Sequence, residues 1–164
     1  MQKFYLIIFL LFFSISSAQT QDNTIVVDIN YLIENSKKGK SLKKDISEKR
    51  NNSQKKFNEK EKNLKEKEKK LISKKNVLSE KDFNNELKNF QAEVKKFNDQ
   101  KQKKTNELRN YRNENLSKLV SEINSVIVDY AKKNNIHIVI DKKYVLLIKK
   151  DSDVTETILE ILNK

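Results

Sequence analysis

Lysine is the one chemically active side chain that this chain carries in quantity, 32 of 164 residues against three arginines, one histidine and no cysteine. Many of the lysines come in close pairs: Lys55-Lys56, Lys62 and Lys65, Lys95-Lys96, Lys101 and Lys103-Lys104. Acidic residues are interleaved with them at helical ion-pair spacings, which reads as solvated charged faces rather than a catalytic carboxylate pair or a metal site. The chemistry open to such ammonium groups is the reversible holding of anions. Bond-making has little to work with. His137 is set between Ile136 and Ile138 as a structural histidine, no thiolate is available, and the single glycine, Gly39, rules out a glycine-rich phosphate loop. The sequence predicts no enzyme and no cofactor.

The lysines are concentrated. From residue 37 to residue 112 there are 26 Lys/Arg and 12 Asp/Glu, with no proline, whereas residues 19–36 and 113–164 together hold 8 Lys/Arg and 11 Asp/Glu. One part of the chain is a cation and the rest is not. Its charges act over about 8 Å at physiological salt, so whatever the cation attracts should be released as ionic strength rises. The nine lysines named above, together with Phe57, are the candidate contact surface.

Residues 1–18 read as an export signal to be removed before folding: Lys3, then the apolar run Phe4 to Phe13, then Ser16-Ser17-Ala18, with cleavage after Ala18. The apolar run is too short to span a bilayer, which takes roughly 20 residues. Export without cysteine means that stability comes from packing or assembly. Nucleic acid is not an expected partner of an exported chain whose only arginines are Arg50, Arg109 and Arg112.

Two long helices must position the lysines. Leu42 and Ile46 open the first; Phe57, Leu64, Leu71 and Leu78 follow at intervals of seven, with Lys60 and Lys67 on the alternate seam positions. In the second, Phe83, Leu87, Phe90, Val94 and Phe97 keep heptad spacing, Lys101 and Lys104 break it, and Leu108 and Tyr111 resume it. Ser79-Glu80-Lys81-Asp82 reads as a capping box, which puts a hairpin tip at 76–79. Folding there pairs residues whose numbers sum to about 158: Leu71 with Leu87, Leu64 with Val94, Leu42 with Leu116. In this register Phe57 faces Lys101 and lacks an apolar partner, which singles it out among the aromatic residues as a contact. The arm, 37–112, should reach roughly 55 Å.

Segments 22–36 and 113–164 should form a body. Thr24 to Asp28 reads as a strand, and Leu116, Leu119, Val120, Ile123, Val126 and Ile127 as helix buried on several sides. Ile136 to Ile140 and Tyr144 to Ile148 read as a β-hairpin turned at Asp141-Lys142-Lys143, and Asp153 to Glu156 as the cap of a last short helix. Three short strands leave open edges, so several copies are expected to close one barrel and pool their cores. The side chains assigned to that oligomerisation core are Val26, Ile123, Ile127, Ile138, Ile140, Val145, Leu147, Ile158 and Leu162. The fold class is α+β, an antiparallel helical hairpin on a small β-rich body.

Val27-Asp28-Ile29-Asn30-Tyr31-Leu32-Ile33, Ser36-Lys37-Lys38-Gly39-Lys40, the turn at Leu78-Ser79, Ile138-Val139-Ile140-Asp141-Lys142 and Asp153-Val154-Thr155, in this order, resemble the Skp/OmpH periplasmic chaperones. The resemblance covers essentially the whole chain after the signal. It implies a jellyfish-shaped homotrimer with a β-barrel body and three arms around a cavity. It also implies a periplasmic location and unfolded outer-membrane β-barrel proteins as partners, held without ATP. An anionic membrane surface or lipopolysaccharide is a further candidate partner. The alternative is a structural coiled-coil spacer of the cell envelope, which would be a continuous parallel rod.

Overall fold

A computed structural model describes residues 23–164. The expected export signal and its cleavage site lie outside the described residues.

Strand β1 (Thr24–Val27) buries Ile25, Val26 and Val27 in succession, as a strand covered on both faces does. Asp28 ends it and caps helix α1 (Ile29–Asn35), its carboxylate accepting from the Tyr31 amide at 2.9 Å. Ser36 then caps α2 (Lys37–Ser73), accepting from the Gly39 amide at 3.1 Å. Here α1 and α2 touch backbone to backbone. A Cβ at Gly39 would lie 1.7 Å from the Ile33 carbonyl oxygen, so glycine is required by contact rather than by a special φ. Gly39 thus sits inside the first turn of α2 and is the point where the two helices cross.

Helix α2 has 37 residues and α3 (Glu80–Lys133) has 54, which makes them about 55 and 80 Å long. The chain turns back between them at residues 74–79, so the single chain is an antiparallel hairpin and not a continuous rod. Ser79 caps α3 by accepting from the Asp82 amide at 3.2 Å. Asp82 reaches back as expected, but to the Ser79 hydroxyl, which donates to it at 2.6 Å, rather than to a backbone amide. At the far end the Ile136 amide bonds the Ala131 carbonyl at 2.9 Å, and Asn135 takes a φ of 54°. That is a Schellman ending, with asparagine in the left-handed position that glycine usually fills.

The expected β-hairpin does not form. Strand β2 is Ile138–Asp141, and it pairs in parallel with β1, Ile25 beside Val139, closing a crossover that contains both long helices. Asp141 then accepts from the Lys143 amide, which starts a 3₁₀ turn at Lys142–Tyr144. Among the described residues, 144–148 form no strand, and the outer edge of β2 stays open. Leu146 and Leu147 are 106% and 92% exposed. The other edge of β1 is taken by a single bridge, Val26 to Asp153, and by the Val154 amide donating to the Val26 carbonyl at 3.1 Å. Helix α4 (Thr155–Leu162) follows, its start held by Thr155, whose hydroxyl accepts from the Asp28 amide and donates to Asp153.

The core gathers Ile25 and Val27 of β1, Leu32 of α1, Leu119, Ile123 and Ile127 of α3, and Val154 and Ile158 at α4. Along the arm, by contrast, the buried apolar side chains are Leu64, Leu71 and Phe97. The seam between the long helices is narrow, as its lysine-interrupted heptads predict.

Candidate functional site

The cross-helix pairs scatter about the expected register. Lys74 pairs with Glu86, and Lys67 with Glu93, both at residue numbers that sum to 160. Farther down, Phe57 meets Phe97 edge to face, ring centroids 6.1 Å apart at 76°, a sum of 154. Phe57 therefore does not stand opposite Lys101. It has an aromatic partner, and the expectation that it was left unpaired is corrected. It remains half-buried beside fully seam-buried Phe97.

The two seam lysines do not leave the seam empty. Glu93 accepts from Lys60 at 2.6 Å and from Lys67 at 2.7 Å, one carboxylate held between two ammonium groups of the facing helix. Those hydrogen bonds, from Lys60 first and Lys67 second, pull its carboxyl down to about 2. Nearer the body, the Tyr111 hydroxyl donates to Asp45 at 2.5 Å, which raises the Tyr111 pKa, and Lys38 pairs with Glu122. The sequence reading missed Glu93, although an acid facing two lysines seven apart was a usable signal. Asp45 and Tyr111 sum to 156 and were findable in the same way.

Cross-helix pairing thus occupies Lys60, Lys67 and Lys74, and leaves the candidate contact lysines differently placed. Lys65 pairs with Glu61 at 3.5 Å and Lys104 with Glu107 at 2.6 Å, each on its own helix. Among the described residues, Lys55, Lys56, Lys62, Lys95, Lys96, Lys101 and Lys103 have no carboxylate within ion-pair distance, and all are exposed. The structure brings only some of them together. Lys56, Lys103 and Lys104 ring a groove of about 610 Å³ floored by Phe57 and Phe97, with Lys60 and Glu107 at its margin. Lys55, Lys62, Lys65, Lys95, Lys96 and Lys101 lie elsewhere on the exposed helix surfaces. What the groove can do is hold an apolar side chain against two rings while ammonium groups attract negative charge around it.

In the body, the residues assigned to an oligomerisation core fall into two sets. Val26, Ile123 and Ile158 are fully buried in the single chain and Ile127 nearly so; Ile123, Ile127 and Ile158 pack together in the core, and all four have almost no surface to offer another copy. Leu162, Ile140 and Val145 are half-buried, while Ile138 (54%) and Leu147 (92%) are exposed. The sequence reading did not single out Val139, Tyr144 and Leu146, which are exposed beside them. Asp153 is pushed up by partial burial yet lies below its ordinary value, because Lys142, at 2.7 Å, and Thr155 bond its charged form. His137 is not a packed strand residue. It is exposed just before β2, its backbone amide donating to the Asn23 carbonyl at 3.0 Å. Among the described residues no group of His, Cys, Asp and Glu is arranged to hold a metal ion, and no helix is long and apolar enough to cross a membrane.

A family profile described as "Outer membrane protein (OmpH-like)" matches residues 23–162. The fold is similar to a crystal structure from Caulobacter crescentus CB15 described as an outer membrane chaperone (OmpH-like). The TM-score is 0.81 at 16% identity, over 86% of this chain and 83% of that one. No curated protein matches the chain.

Proposed function

The chain belongs to the OmpH-like family, and from that premise we propose that it is an ATP-independent holdase of the periplasm that keeps unfolded outer-membrane β-barrel proteins from aggregating. The observation that carries this reading is the mid-arm groove, where two aromatic rings sit among lysines of which Lys56 and Lys103 have no ion-pair partner among the described residues. An unfolded barrel strand alternates apolar and polar side chains, so it offers what such a surface can hold weakly at several points. Weak plural contacts suit a carrier that must let go without a fuel.

Three copies form the working unit in this reading. The edge of β2 and the unpaired segment 144–148 present Ile138, Val139, Leu146 and Leu147 for pairing between bodies, which would cover an otherwise open sheet. The arms then enclose a cationic cavity. An anionic membrane surface or lipopolysaccharide is a second partner that the same lysines would attract.

The test is to dilute a urea-denatured outer-membrane barrel protein into the chain lacking residues 1–18. The mass of what stays soluble is then measured by light scattering after size exclusion. Three copies with one client are expected; a pelleted client beside a free oligomer overturns the reading. Replacing Lys55, Lys56, Lys62, Lys65, Lys95, Lys96, Lys103 and Lys104 by Gln should slow capture at low salt and leave the oligomer's mass unchanged.

A further inference from the structure

The chain's three arginines are 59 residues or more apart in part, Arg50 on α2 against Arg109 and Arg112 on α3, yet all three line one groove of about 270 Å³ near the base of the arm. Lysine outnumbers arginine 32 to 3 in this chain, but only one lysine, Lys104, lines the groove, and no Asp or Glu does. The floor is apolar, made by Ile46, Phe57 and Leu108. Among the described residues none of the three guanidiniums has a carboxylate within ion-pair distance; Arg109 bonds only the Asn106 amide oxygen, at 3.0 Å. At 100° per residue, Arg50 is about 120° around α2 from Lys56, and Arg109 and Arg112 are about 120° and 180° around α3 from Lys103, while Ser53, Phe57 and Lys104 line both this groove and the lysine-ringed one. The arginines are therefore gathered in one groove that adjoins the lysine-ringed one.

We propose that the arginine groove is a docking site for a carboxylate carried beside an apolar side chain on an extended polypeptide. The proposal rests on the holdase reading for the source of that polypeptide and deepens it by naming where acidic segments are read. Guanidinium is a rigid planar fork that matches a carboxylate with two parallel hydrogen bonds, whereas ammonium is a strongly hydrated point charge. Diffuse attraction is already supplied by the lysines, so arginine is needed only where geometry counts. The apolar floor of Ile46 and the half-buried Phe57 and Leu108 distinguishes this groove from a site for a bare anion.

The test uses the intact oligomer and two extended peptides that differ only in Phe-Glu-Phe against Phe-Gln-Phe at the centre, with binding read by fluorescence anisotropy. Wild type should favour the Glu peptide by about tenfold at low salt. The charge-conserving variant R50K/R109K/R112K should bring that ratio near one while keeping the helical circular-dichroism signal and oligomeric mass. A ratio unchanged in the variant overturns the proposal. So does a loss of oligomeric mass, which would assign the arginines to contacts between copies. So does a variant that loses binding to vesicles of anionic phospholipid while keeping the peptide ratio. Aggregation of a barrel client with wild type, alongside intact peptide discrimination, would instead sink the holdase reading and leave the groove standing.

Discussion

Helix α3 passes through two regimes without a break. From Glu80 to about Arg112 its one buried side chain is Phe97; from Leu119 onward Leu119, Ile123 and Ile127 are buried at every turn by β1, α1 and α4. In the arm, one neighbour covers one stripe, and ion pairs such as Lys60–Glu93–Lys67 fill the gaps. In the body, several elements converge on one small core. Helix continuity therefore does not imply uniform stability: the same hydrogen-bonded rod is firmly anchored at one end and lightly buttressed along the other. In the proposed reading, a surface that accepts varied chains would need the second kind of support, and a junction that orients it the first.

The comparison is tested most strongly at Ile123 and Leu64. Ile123→Ala, in the closed core, should cost about 3 kcal/mol and lower the urea midpoint of the whole chain. Leu64→Ala should cost only about 2 kcal/mol, because two helices can close around the smaller side chain, and should quicken amide exchange in the arm alone. Equal losses spread over both regions would mean that arm and body melt as one unit. Next in size is the junction. Gly39→Ala puts a methyl against the Ile33 carbonyl, and separating α1 from α2 should cost about 2 kcal/mol. An unchanged thermal midpoint would show that the crossing is not fixed there.

The smallest effect is electrostatic and belongs to the arm. The Glu93 carboxyl is depressed to about 2 in the folded chain, from 4.5. A depressed carboxylate stabilises above its unfolded value and loses that contribution as pH falls from about 4.5 toward 2. Mid-arm exchange, corrected for its intrinsic pH dependence, should quicken across that window, and Glu93→Gln should flatten the response. Because Asp153 is also held below its ordinary value in the body, the variant rather than the body is the proper control. A wild-type response identical to that of the variant would remove Glu93 as a clamp.

The helices were legible in the sequence because each signal is local: heptads at Leu64, Leu71 and Phe97, a serine cap at Ser79, and an asparagine stop at Asn135. The partner of a strand is not local. Ile138 to Asp141 has the composition of a strand whether it turns back on 144–148 or lies beside Thr24–Val27, and only the crossover decided it. Phe57 was misplaced for a related reason: one register number was applied to a seam whose side-chain pairs range in sum from 153 for Lys60–Glu93 to 160 for Lys67–Glu93. The arginine groove was invisible because it depends on the relative phase of two helices, which neither helix's sequence records alone.

The register has one more consequence, which concerns how such an arm can change length over generations. A single residue added inside one limb would turn everything beyond it by ~100° and break every seam contact past that point. Matched additions of seven at facing positions in α2 and α3 would restore the phase and lengthen the arm by ~10 Å. Reach is thus inherited in steps, like the gauges of a tool, while the body is the common handle on which every gauge can be mounted.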